Sequence, residues 1–559
     1  MKPLPLLALS GALLTLAAAR PAHAQSPAPP APPTLPAVRA VQFRPDTFDL
    51  RKYGAVADGQ TLNTQAFSKA IAACAQAGGG TVRVPAGLWL TGPIVLQNNV
   101  NLHVAQGALV QFTADHSQYP LVKTTWEGED AVRCQAPISG VDLQNIAITG
   151  RGTFDGAGDT WRPVKKNKLS EGEWQKLVRS GGVLSDKQDY WYPSAGSLKG
   201  NQLAAAKQLP KGFNPADFAD LRDYLRPNML SLTRCRQILL EDFTIQNSPA
   251  WTMHPLLCED VTVRRVTARN PAYGQNTDAI DLESCRNGVV EGCTFSVGDD
   301  GLCIKSGRDE EGRRRGVPTE NFLIQNCKVY SAHGGFVIGS EMSGGVRNLI
   351  VRNCAFMGTD VGLRFKTARG RGGVVENIWV DGITMTDIAG QAIIFDMYYM
   401  AKDPVPQPGE STAPPTIAAQ PLGEGTPKFQ HFYINNVTCR GADTGILVRG
   451  LPEMSIKDIV IENAVIESKK GLLCQEAENI RFKNITLLPT DTRPVLEVQN
   501  AKNITFDNLR YASGADLLLR VSGDRSQDIR LVNTNTKQAK QGVQLGDKVG
   551  KKVVQVAAK

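Results

Sequence analysis

Apolar and polar residues alternate in short segments along most of the chain, which is the pattern of β-strands that bury one face. One short phrase with this alternation recurs from the middle of the chain onward, and every copy ends on an apolar residue. Most of these end positions are 21 to 34 residues apart, so the sequence repeats with a period in the twenties once insertions are set aside. The end positions are Phe243, Val266, Cys293, Cys327, Cys354, Ile383, Val437, Ala464, Ile485 and Leu509.

A period in the twenties built from short strands predicts an all-β fold, a single-stranded parallel β-helix (β-solenoid) in which each repeat forms one coil. A leucine-rich repeat is the alternative, but it needs a regular leucine framework that this sequence lacks. The column of end positions accepts only apolar residues, so we expect it to face the interior. Its cysteines, Cys293, Cys327 and Cys354, are therefore interpreted as stacked, buried thiols rather than disulfides.

The N-terminal opening of a solenoid needs a cover, and residues 65–77 predict a helix that supplies it. Three glycines follow this segment and would end the helix. The apolar residues of one helical face are Phe67, Ala70, Ile71 and Cys74.

Three insertions interrupt the repeats, near residues 160–228, 308–318 and 403–428. The first carries three of the seven tryptophans, and we expect it either to wall a cleft or to be a plain surface insertion. The second is rich in charge and the third in proline and glycine.

Residues 1–24 have the form of a signal peptide, with Lys2, a short apolar run and a small-residue cleavage site. An N-terminal membrane anchor is the alternative, but the run is short of a full span. We expect residues 25–45 to be a Pro/Ala-rich disordered leader and residues 46–559 to form a single β-helix domain. The protein is thus expected to be exported, periplasmic or secreted, and free of the membrane after signal removal.

The composition is that of a globular protein, with 42% hydrophobic and 21% charged residues among 559. The net charge of +8 would fall to +6 when Lys2 and Arg20 leave with the signal peptide, a mild excess that permits a polyanionic partner. A nucleic-acid partner is disfavoured, because no long basic run is present. The eleven cysteines include no CxxC pair, which disfavours zinc and redox motifs.

Four polar signatures interrupt the apolar repeats, and each lies about one coil after the previous one. Residues one coil apart stack on one sheet at about 4.8 Å per step, so the set should span roughly 14 Å on one face. That length suits a few sugar units. The signatures are Asn276-Thr277-Asp278, Gly298-Asp299-Asp300-Gly301, Ala332-His333-Gly334-Gly335 and Arg364-Phe365-Lys366.

Three carboxylates within one coil step fit glycoside hydrolysis by paired carboxyl groups. Like charges held close together push proton affinities apart, so one carboxyl can stay protonated while others ionise. His333 is placed to hydrogen-bond one of them, and Arg364 and Lys366 point the same way and could bind a substrate carboxylate. A calcium site built by the aspartates, or turn-forming aspartates beside a satisfied histidine, are the alternatives.

The four signatures, in this order and spacing, resemble glycoside hydrolase family 28, the polygalacturonases. The segments 52–59 and 247–254 also resemble family phrases, and the resemblance extends from about Tyr53 to Arg530. It implies a right-handed parallel β-helix of three sheets. It also implies inverting hydrolysis of α-1,4-galacturonosyl bonds in a pectic polysaccharide, with no metal or other cofactor.

The resemblance also implies roles for individual residues. Asp299 would be the general acid, Asp278 and Asp300 would activate water, and His333 would sustain the proton state of the acid. Asn276 would orient the groups nearby. The substrate carboxylate beside the scissile bond would be held by Arg364 and Lys366.

If the insertions close one end of the groove, the enzyme removes units from a chain end, and we expect such exo-action. Tyr398 could line a sugar subsite, although a core or surface role is an equal alternative. We expect a monomer, because capped solenoids are commonly monomeric.

Three other functions compete with this one. A calcium-dependent pectate lyase shares the fold and the polymer, but the histidine beside the acids opposes it. A β-helical adhesin would have no reason to gather three carboxylates, a histidine and two cations on one face. The third alternative is a hydrolase of the same enzyme class that acts on a related pectic backbone, such as rhamnogalacturonan.

Overall fold

The computed structural model describes residues 30–400 and 417–557. The predicted signal peptide, the start of the leader and residues 403–416 of the third insertion lie outside the described residues. Short parallel strands repeat along the remainder and form a right-handed parallel β-helix, as the sequence predicted. The strands stack in three parallel ladders, one for each side of the coil.

The first ladder begins when Thr47–Asp49 pairs with Gly80–Val84. In its middle, long strands bend around a corner of the coil and continue into a neighbouring ladder. From Gly80–Val84 it continues through Val100–Val104, Gln144–Thr149, Arg236–Glu241, Glu259–Arg264, Arg286–Glu291, Thr319–Gln325, Val346–Met357, Val374–Asp396, Lys428–Arg449, Ile456–Ser468, Ala477–Pro489, Lys502–Asp507, Gln527–Val532 and Val554–Ala557.

The second ladder is made of shorter strands and joins the long strands of the first. Its separate strands are Gly87–Thr91, Ala108–Phe112, Thr153–Asp155, Thr244–Gln246, Thr267–Arg269, Thr294–Ser296, Lys328–Tyr330 and Arg510–Tyr511.

The third ladder carries the polar signatures on its outer face. Its strands are Ile94–Val95, Ile138–Val141, Leu230–Thr233, Met253–Leu256, Ile280–Glu283, Leu302–Lys305, Gly334–Ile338, Val361–Lys366, the ends of Val374–Asp396 and Lys428–Arg449, and then Lys470–Gln475, Leu496–Gln499, Leu517–Ser522 and Gln541–Leu545.

The core runs the length of the coil, because strand alternation sends every second side chain inward. All ten end positions of the repeated phrase are buried, which confirms the inward column. Cys293, Cys327 and Cys354 stack within it. The backbone joins their coils through Lys328 N to Cys293 O at 2.9 Å and Ala355 N to Cys327 O at 3.0 Å. All eleven cysteines are buried thiols.

Asparagine ladders accompany the repeats on the outer surface. Asn321, Asn348 and Asn377 have φ values of 61°, 56° and 56°, a left-handed conformation that asparagine tolerates better than most residues. Each donates its side-chain amide to the asparagine one coil earlier, at 3.2 Å for Asn348 to Asn321 and 3.4 Å for Asn377 to Asn348. The repeat therefore sets both the left-handed backbone conformation of each asparagine and the residue to which its side chain donates.

The predicted capping helix is observed at Thr64–Gln76, and its predicted apolar face is buried. Gly78, Gly79 and Gly80 follow with φ values of 89°, 106° and 147°, which only glycine adopts readily. A side-chain carbon on Gly79 would lie 2.6 Å from Asn99 O, so the chain also needs glycine for close approach.

Two inserted segments stand beside the third ladder. An antiparallel hairpin pairs Leu121–Trp126 with Glu129–Cys134, and we call it the 121–134 hairpin. The predicted insertion 160–228 contains helices Glu171–Arg179 and Ala195–Ala205. It also contains a small antiparallel sheet of Val164–Lys165, Val183–Leu184 and Tyr190–Tyr192.

The charged insertion near 308–318 folds as helix Asp309–Arg315. Short 3-10 helices occur at Leu50–Tyr53, His116–Gln118, Gly158–Thr160, Lys166–Lys168, Pro215–Leu221 and Thr536–Gln538.

The described part of the predicted leader forms neither helix nor strand before Thr47. Arg39 nevertheless pairs with Asp260 at 2.5 Å, and the Gln42 backbone donates to Asn145 Oδ1 at 2.8 Å. Part of the predicted leader therefore lies against the surface of the solenoid. No helix within the described ranges has the length and apolar character that crossing a membrane would require.

Candidate active site

The polar signatures lie at four consecutive strands of the third ladder. The first two signatures end just before their strands begin, the third runs into its strand, and the fourth lies within its strand. Ile280 pairs with Leu302, Leu302 with Phe336, and Phe336 with Leu363. Asp278 and Asp300 each lie two residues before their paired position, so they occupy adjacent coils in the same register. The predicted spacing of one coil per signature is confirmed.

Glycines keep the backbones close around the aspartate pair. A side-chain carbon on Gly298 would lie 2.3 Å from Gly274 O, and one on Gly334 would lie 3.0 Å from Asp300 Oδ1. Side chains at these positions would push the coils apart or fill the space beside the carboxylate. The glycine-flanked Asp-Asp phrase is therefore a packing requirement of the site.

Asp299 is held by the next coil and by the turn before Asp278. Its Oδ1 lies 3.1 Å from His333 Nδ1, and its Oδ2 accepts from the Asn276 backbone at 3.2 Å. The Asp299 side chain is 20% exposed, against 3% for Asp278 and 1% for Asp300. Asp299 is thus the carboxyl group of the three that reaches furthest into the groove.

Asp300 is compensated by two cations from the coil that follows His333. Lys366 Nζ donates to its Oδ2 at 2.8 Å, and Arg364 Nη1 lies 3.6 Å from its Oδ1. Lys366 is buried, whereas Arg364 is partly exposed. The predicted pair of cations is therefore brought to the carboxylates, and Arg364 is the more accessible of the two.

Asp278 has a different counter-charge, which sequence reasoning missed. Lys305 Nζ lies 3.8 Å from Asp278, 3.3 Å from Asp281 and 3.1 Å from Glu341. The same ammonium lies 4.1 Å from the centre of the Trp251 ring, within cation–π range. Strand alternation could have indicated Lys305, because Leu302 and Ile304 face the core and so place Lys305 on the outer face of the strand Leu302–Lys305.

The environment separates the proton affinities of the carboxyl groups. Burial raises the pKa of Asp278 well above its usual range, and the charges of Asp281 and Asp299 add to the increase. Burial also acts to raise the pKa of Asp299, but the His333 hydrogen bond and charge outweigh it and hold that pKa below its usual range. The hydrogen bond to Asp299 in turn raises the pKa of His333.

These directions favour a proton on Asp278 over one on Asp299 in the ligand-free protein, and they favour the charged form of His333. The charges of Asp278 and Asp299 influence each other, so their titration belongs to the pair rather than to one residue. Acid–base catalysis needs carboxyl groups whose proton affinities differ in this way.

Asn276 links the catalytic coils to the 121–134 hairpin. Its Oδ1 accepts from Arg226 at 2.7 Å, and its Nδ2 donates to Glu127 Oε1 at 3.4 Å. Glu127 sits at the hairpin tip and also lies 3.4 Å from Arg308. The insertion 160–228 reaches the site as well, because Lys168 Nζ lies 3.4 Å from His333 Nε2.

Tyr398 is 3% exposed and packs with apolar residues of the core, and the Arg449 guanidinium lies 6.0 Å from the centre of its ring. Its contact with a sugar stays a prediction. The adjacent Tyr399 is half-buried, and its ring centre lies 4.8 Å from Lys366 Nζ and 5.6 Å from the Arg364 guanidinium. Tyr399 is thus the aromatic residue that lies against the two predicted substrate-binding cations.

One group of His, Cys, Asp or Glu side chains in the described residues could offer three donor atoms to a metal ion. Its donor atoms lie within 4.8 Å of one another, and it consists of Asp278, Asp300 and Cys303. Lys305 and Lys366 already place ammonium groups against the two carboxylates. A further cation would have to compete with these resident charges.

Comparisons with known proteins agree with this geometry. The model of the Glycosyl hydrolases family 28 matches residues 219–416, which include all four signatures. The structure is similar to that of a hyperthermoactive exopolygalacturonase from Thermotoga maritima, with 32% identity and a TM-score of 0.65, over 81% of this chain and 94% of that one. The chain belongs to glycosyl hydrolase family 28. The resemblance read from the sequence is confirmed, and the protein is a glycoside hydrolase.

Two similar proteins align over most of this chain. A probable polygalacturonase from Vitis vinifera is 29% identical, over 81% of this chain and 82% of its own length. An exo-poly-alpha-D-galacturonosidase from Dickeya chrysanthemi is 26% identical, over 83% of this chain and 74% of its own length. The alignments therefore extend well beyond the signature region.

Proposed function

We propose that this family 28 enzyme hydrolyses α-1,4-galacturonosyl bonds of polygalacturonate or pectin, with inversion, from a chain end. The observation that carries the proposal is the cluster of Asp278, Asp299 and Asp300 flanked by His333 and by two cations. Cations at a hydrolytic centre favour a substrate that carries a carboxylate beside the scissile bond. Homogalacturonan provides one on every sugar.

In the proposed reaction, Asp299 protonates the leaving oxygen as the glycosidic C–O bond breaks. Water attacks the anomeric carbon from the opposite face and passes a proton to Asp278 or Asp300, which gives the β-anomer of the released end. The exposure of Asp299 supports its role, because the acid must touch the leaving oxygen. Asn276 orients Asp299 through its backbone N–H.

The proton must lie on Asp299 when substrate is bound, although it favours Asp278 in the ligand-free protein. Lys366 is among the charges that hold the pKa of Asp299 low. A substrate carboxylate at Arg364 and Lys366 would offset this positive charge, and the sugar would displace water from Asp299. Both effects raise the pKa of Asp299, so substrate binding itself would move the shared proton.

Exo-action is proposed from the inserted segments beside the groove. The 121–134 hairpin reaches Asn276, and the 160–228 insertion reaches His333, so both stand next to the catalytic carboxylates. Two of the similar proteins are named as exo-acting enzymes. We further propose export, in keeping with the signal-peptide pattern, and a monomeric state.

Product analysis on de-esterified polygalacturonate, with a chelator present and ultraviolet absorbance followed, tests this function. Saturated mono- or digalacturonate from the earliest times is expected. A ladder of mid-sized saturated oligomers would refute exo-action, and unsaturated products lost on chelation would indicate a lyase. If the enzyme cleaves rhamnogalacturonan but not polygalacturonate, the family assignment holds and the proposed substrate is wrong.

A further inference from the structure

A cavity of about 570 Å³ lies between the 121–134 hairpin and the outer face of the third ladder. We call it the hairpin cavity. Ser231 and Thr233 form part of its floor, on the strand Leu230–Thr233. That strand is two coil steps, or about 10 Å, from the strand that follows Asp278. The volume lies in the range of sites that enclose small organic ligands.

Arg133 lines this cavity and is 6% exposed. Burial lowers its pKa to about 10. Its one hydrogen bond within the described residues is a long one, from Nη1 to Tyr224 O at 3.5 Å, and its Nε has no partner there. The guanidinium lies over the Trp126 ring, 3.5 Å from its centre. A buried guanidinium with so few hydrogen bonds is costly unless an anion or another acceptor meets it.

Two other buried arginines in this region have close hydrogen-bond acceptors, as buried guanidinium groups usually do. Arg226 donates to Pro249 O at 3.0 Å, to Gln275 O at 2.8 Å and to Asn276 Oδ1. Arg162 donates to Ser248 O and, at 2.8 Å, to Asn247 Oδ1. Burial lowers the pKa of both to about 10, as it does for Arg133. Arg133 thus lacks the close hydrogen-bond acceptors that Arg162 and Arg226 have. It is also the arginine of the three that lines the hairpin cavity.

The remaining lining of the hairpin cavity combines positive charge with neutral polar groups. Lys123, Arg234 and Arg315 join Arg133 around it, against the single acid Asp130. Arg234 and Arg315 already have carboxylate partners outside the lining.

Neutral donors and acceptors are also available there. Asn228 donates to His254 at 3.1 Å, but its buried Oδ1 has no hydrogen-bond partner within the described residues. Hydroxyls of Ser231 and Thr233 stand on the floor. Such a lining suits a molecule that has one carboxylate and several hydroxyl groups.

The hairpin tip connects this cavity to the catalytic centre. Trp126 lines the cavity, whereas the adjacent Glu127 contacts Asn276. Trp126 also lies parallel to Trp251, with ring centres 6.4 Å apart, and Trp251 covers Lys305. A ligand in the cavity would therefore lie against the residues that shape the N-terminal side of the groove.

We propose that the hairpin cavity binds a galacturonate unit, with the sugar carboxylate at Arg133 and its hydroxyls at Asn228 and Ser231. The inference rests on the proposed function, which makes galacturonate both the terminal sugar of the substrate and a product. The bound galacturonate unit can be either the end of a substrate chain or the released monosaccharide.

Calorimetric titration of galacturonic acid into the Asp299→Asn protein tests the proposal, with galactose as the neutral control. We expect galacturonic acid to bind and galactose to bind at least about tenfold more weakly, the loss typical of a missing charge-assisted hydrogen bond. Adding Arg133→Gln should weaken galacturonic acid binding by a similar factor. Adding Arg530→Gln, which removes a distant exposed guanidinium, should leave it unchanged.

Ser231→Phe is a second variant, which fills the floor of the cavity without removing a buried charge. It keeps the proposal testable if the Arg133→Gln protein does not fold. It should also weaken galacturonic acid binding by about tenfold or more. Equal affinity for both sugars, unchanged affinity in both variants, or no binding by the parent protein would overturn the proposal.

Kinetics in the otherwise unaltered enzyme separate the two sources. If the cavity holds the end of a chain, Arg133→Gln raises KM for tetragalacturonate and leaves kcat within about twofold. If it holds released product, the variant instead weakens inhibition by galacturonic acid. An enzyme that does not cleave polygalacturonate, yet binds galacturonic acid through Arg133, would refute the proposed function and leave this site standing.

Discussion

His333 and Asp299 are joined twice across adjacent coils. The ring Nδ1 of His333 lies 3.1 Å from Asp299 Oδ1, and the backbone N–H of His333 donates to Asp299 O at 3.0 Å. The backbone bond belongs to the coil-to-coil stacking, and the side-chain bond is added at the same point. The fold therefore sets the position of the histidine relative to the carboxyl group.

Removal of the Asp299 carboxyl should abolish hydrolysis without abolishing substrate binding. Asp299→Asn keeps the shape but cannot serve as the acid, so kcat on oligogalacturonate should fall by about a thousandfold or more. Initial-rate assays and calorimetric titration with trigalacturonate measure the two effects. Asp528→Asn, at a partly exposed carboxylate on a distant coil, is the matched control and should change neither. Substantial residual kcat in Asp299→Asn would assign the acid role elsewhere.

The His333–Asp299 pair should contribute to stability in a defined pH window. The folded pKa of His333 is raised, so its contribution is present below about 6.5, the unfolded value, and is lost as pH rises through the folded pKa. The folded pKa of Asp299 is lowered, so its contribution is lost as the pH falls below about 4.

Thermal unfolding of His333→Gln against the parent protein tests this window. The loss in Tm should be largest between about pH 4 and 6.5 and smaller at pH 9. A loss that is constant across this range would show that the imidazole acts through packing alone.

Lys305 should be required for stability as well as activity. Lys305→Met would leave Asp281 and Glu341 buried without their shared counter-ion, a change that costs about 3–5 kcal/mol in the free energy of unfolding. Urea denaturation measures this loss. The double variant with Glu341→Gln should recover part of it, because one uncompensated charge is removed. A loss below about 1 kcal/mol, or a double variant less stable than the single one, would contradict the assigned charge balance.

The eleven cysteines should react as thiols once the chain is unfolded. Alkylation in denaturant without reductant, followed by mass spectrometry, should modify all eleven, whereas the native protein should react slowly because every thiol is buried. Prior reduction should leave the Tm unchanged. Fewer than eleven modified cysteines without reductant, restored by reduction, would reveal a disulfide.

The repeat period made the fold and the register of the site predictable from the sequence. A coil of fixed length places residues one period apart side by side, so Asp278, Asp300 and His333 could be assigned to one face. Contacts across coils were harder to predict, because they depend on loop conformations that the period does not encode. Lys305 pairs with Glu341 from a bend after the strand Gly334–Ile338, which no repeat anticipates.

Tyr398 illustrates a second limit of sequence reasoning. Strand alternation assigns side chains to the two faces only as far as the strand continues, and the strand Val374–Asp396 ends two residues before Tyr398. Beyond that end the chain turns, Tyr398 enters the core, and Tyr399 meets the site cations. The 121–134 hairpin was likewise not predicted, since it lies outside the repeated phrase.

The stereochemistry of the first product distinguishes inverting hydrolysis from retention and from elimination. Proton NMR of trigalacturonate hydrolysis, recorded within seconds of adding enzyme and with chelator present, resolves the anomers of the new reducing end. The β-anomer should appear first and then equilibrate, with no signal from the Asp299→Asn protein. Initial release of the α-anomer, or an unsaturated product, would contradict the assignment of these carboxylates to an inverting hydrolysis.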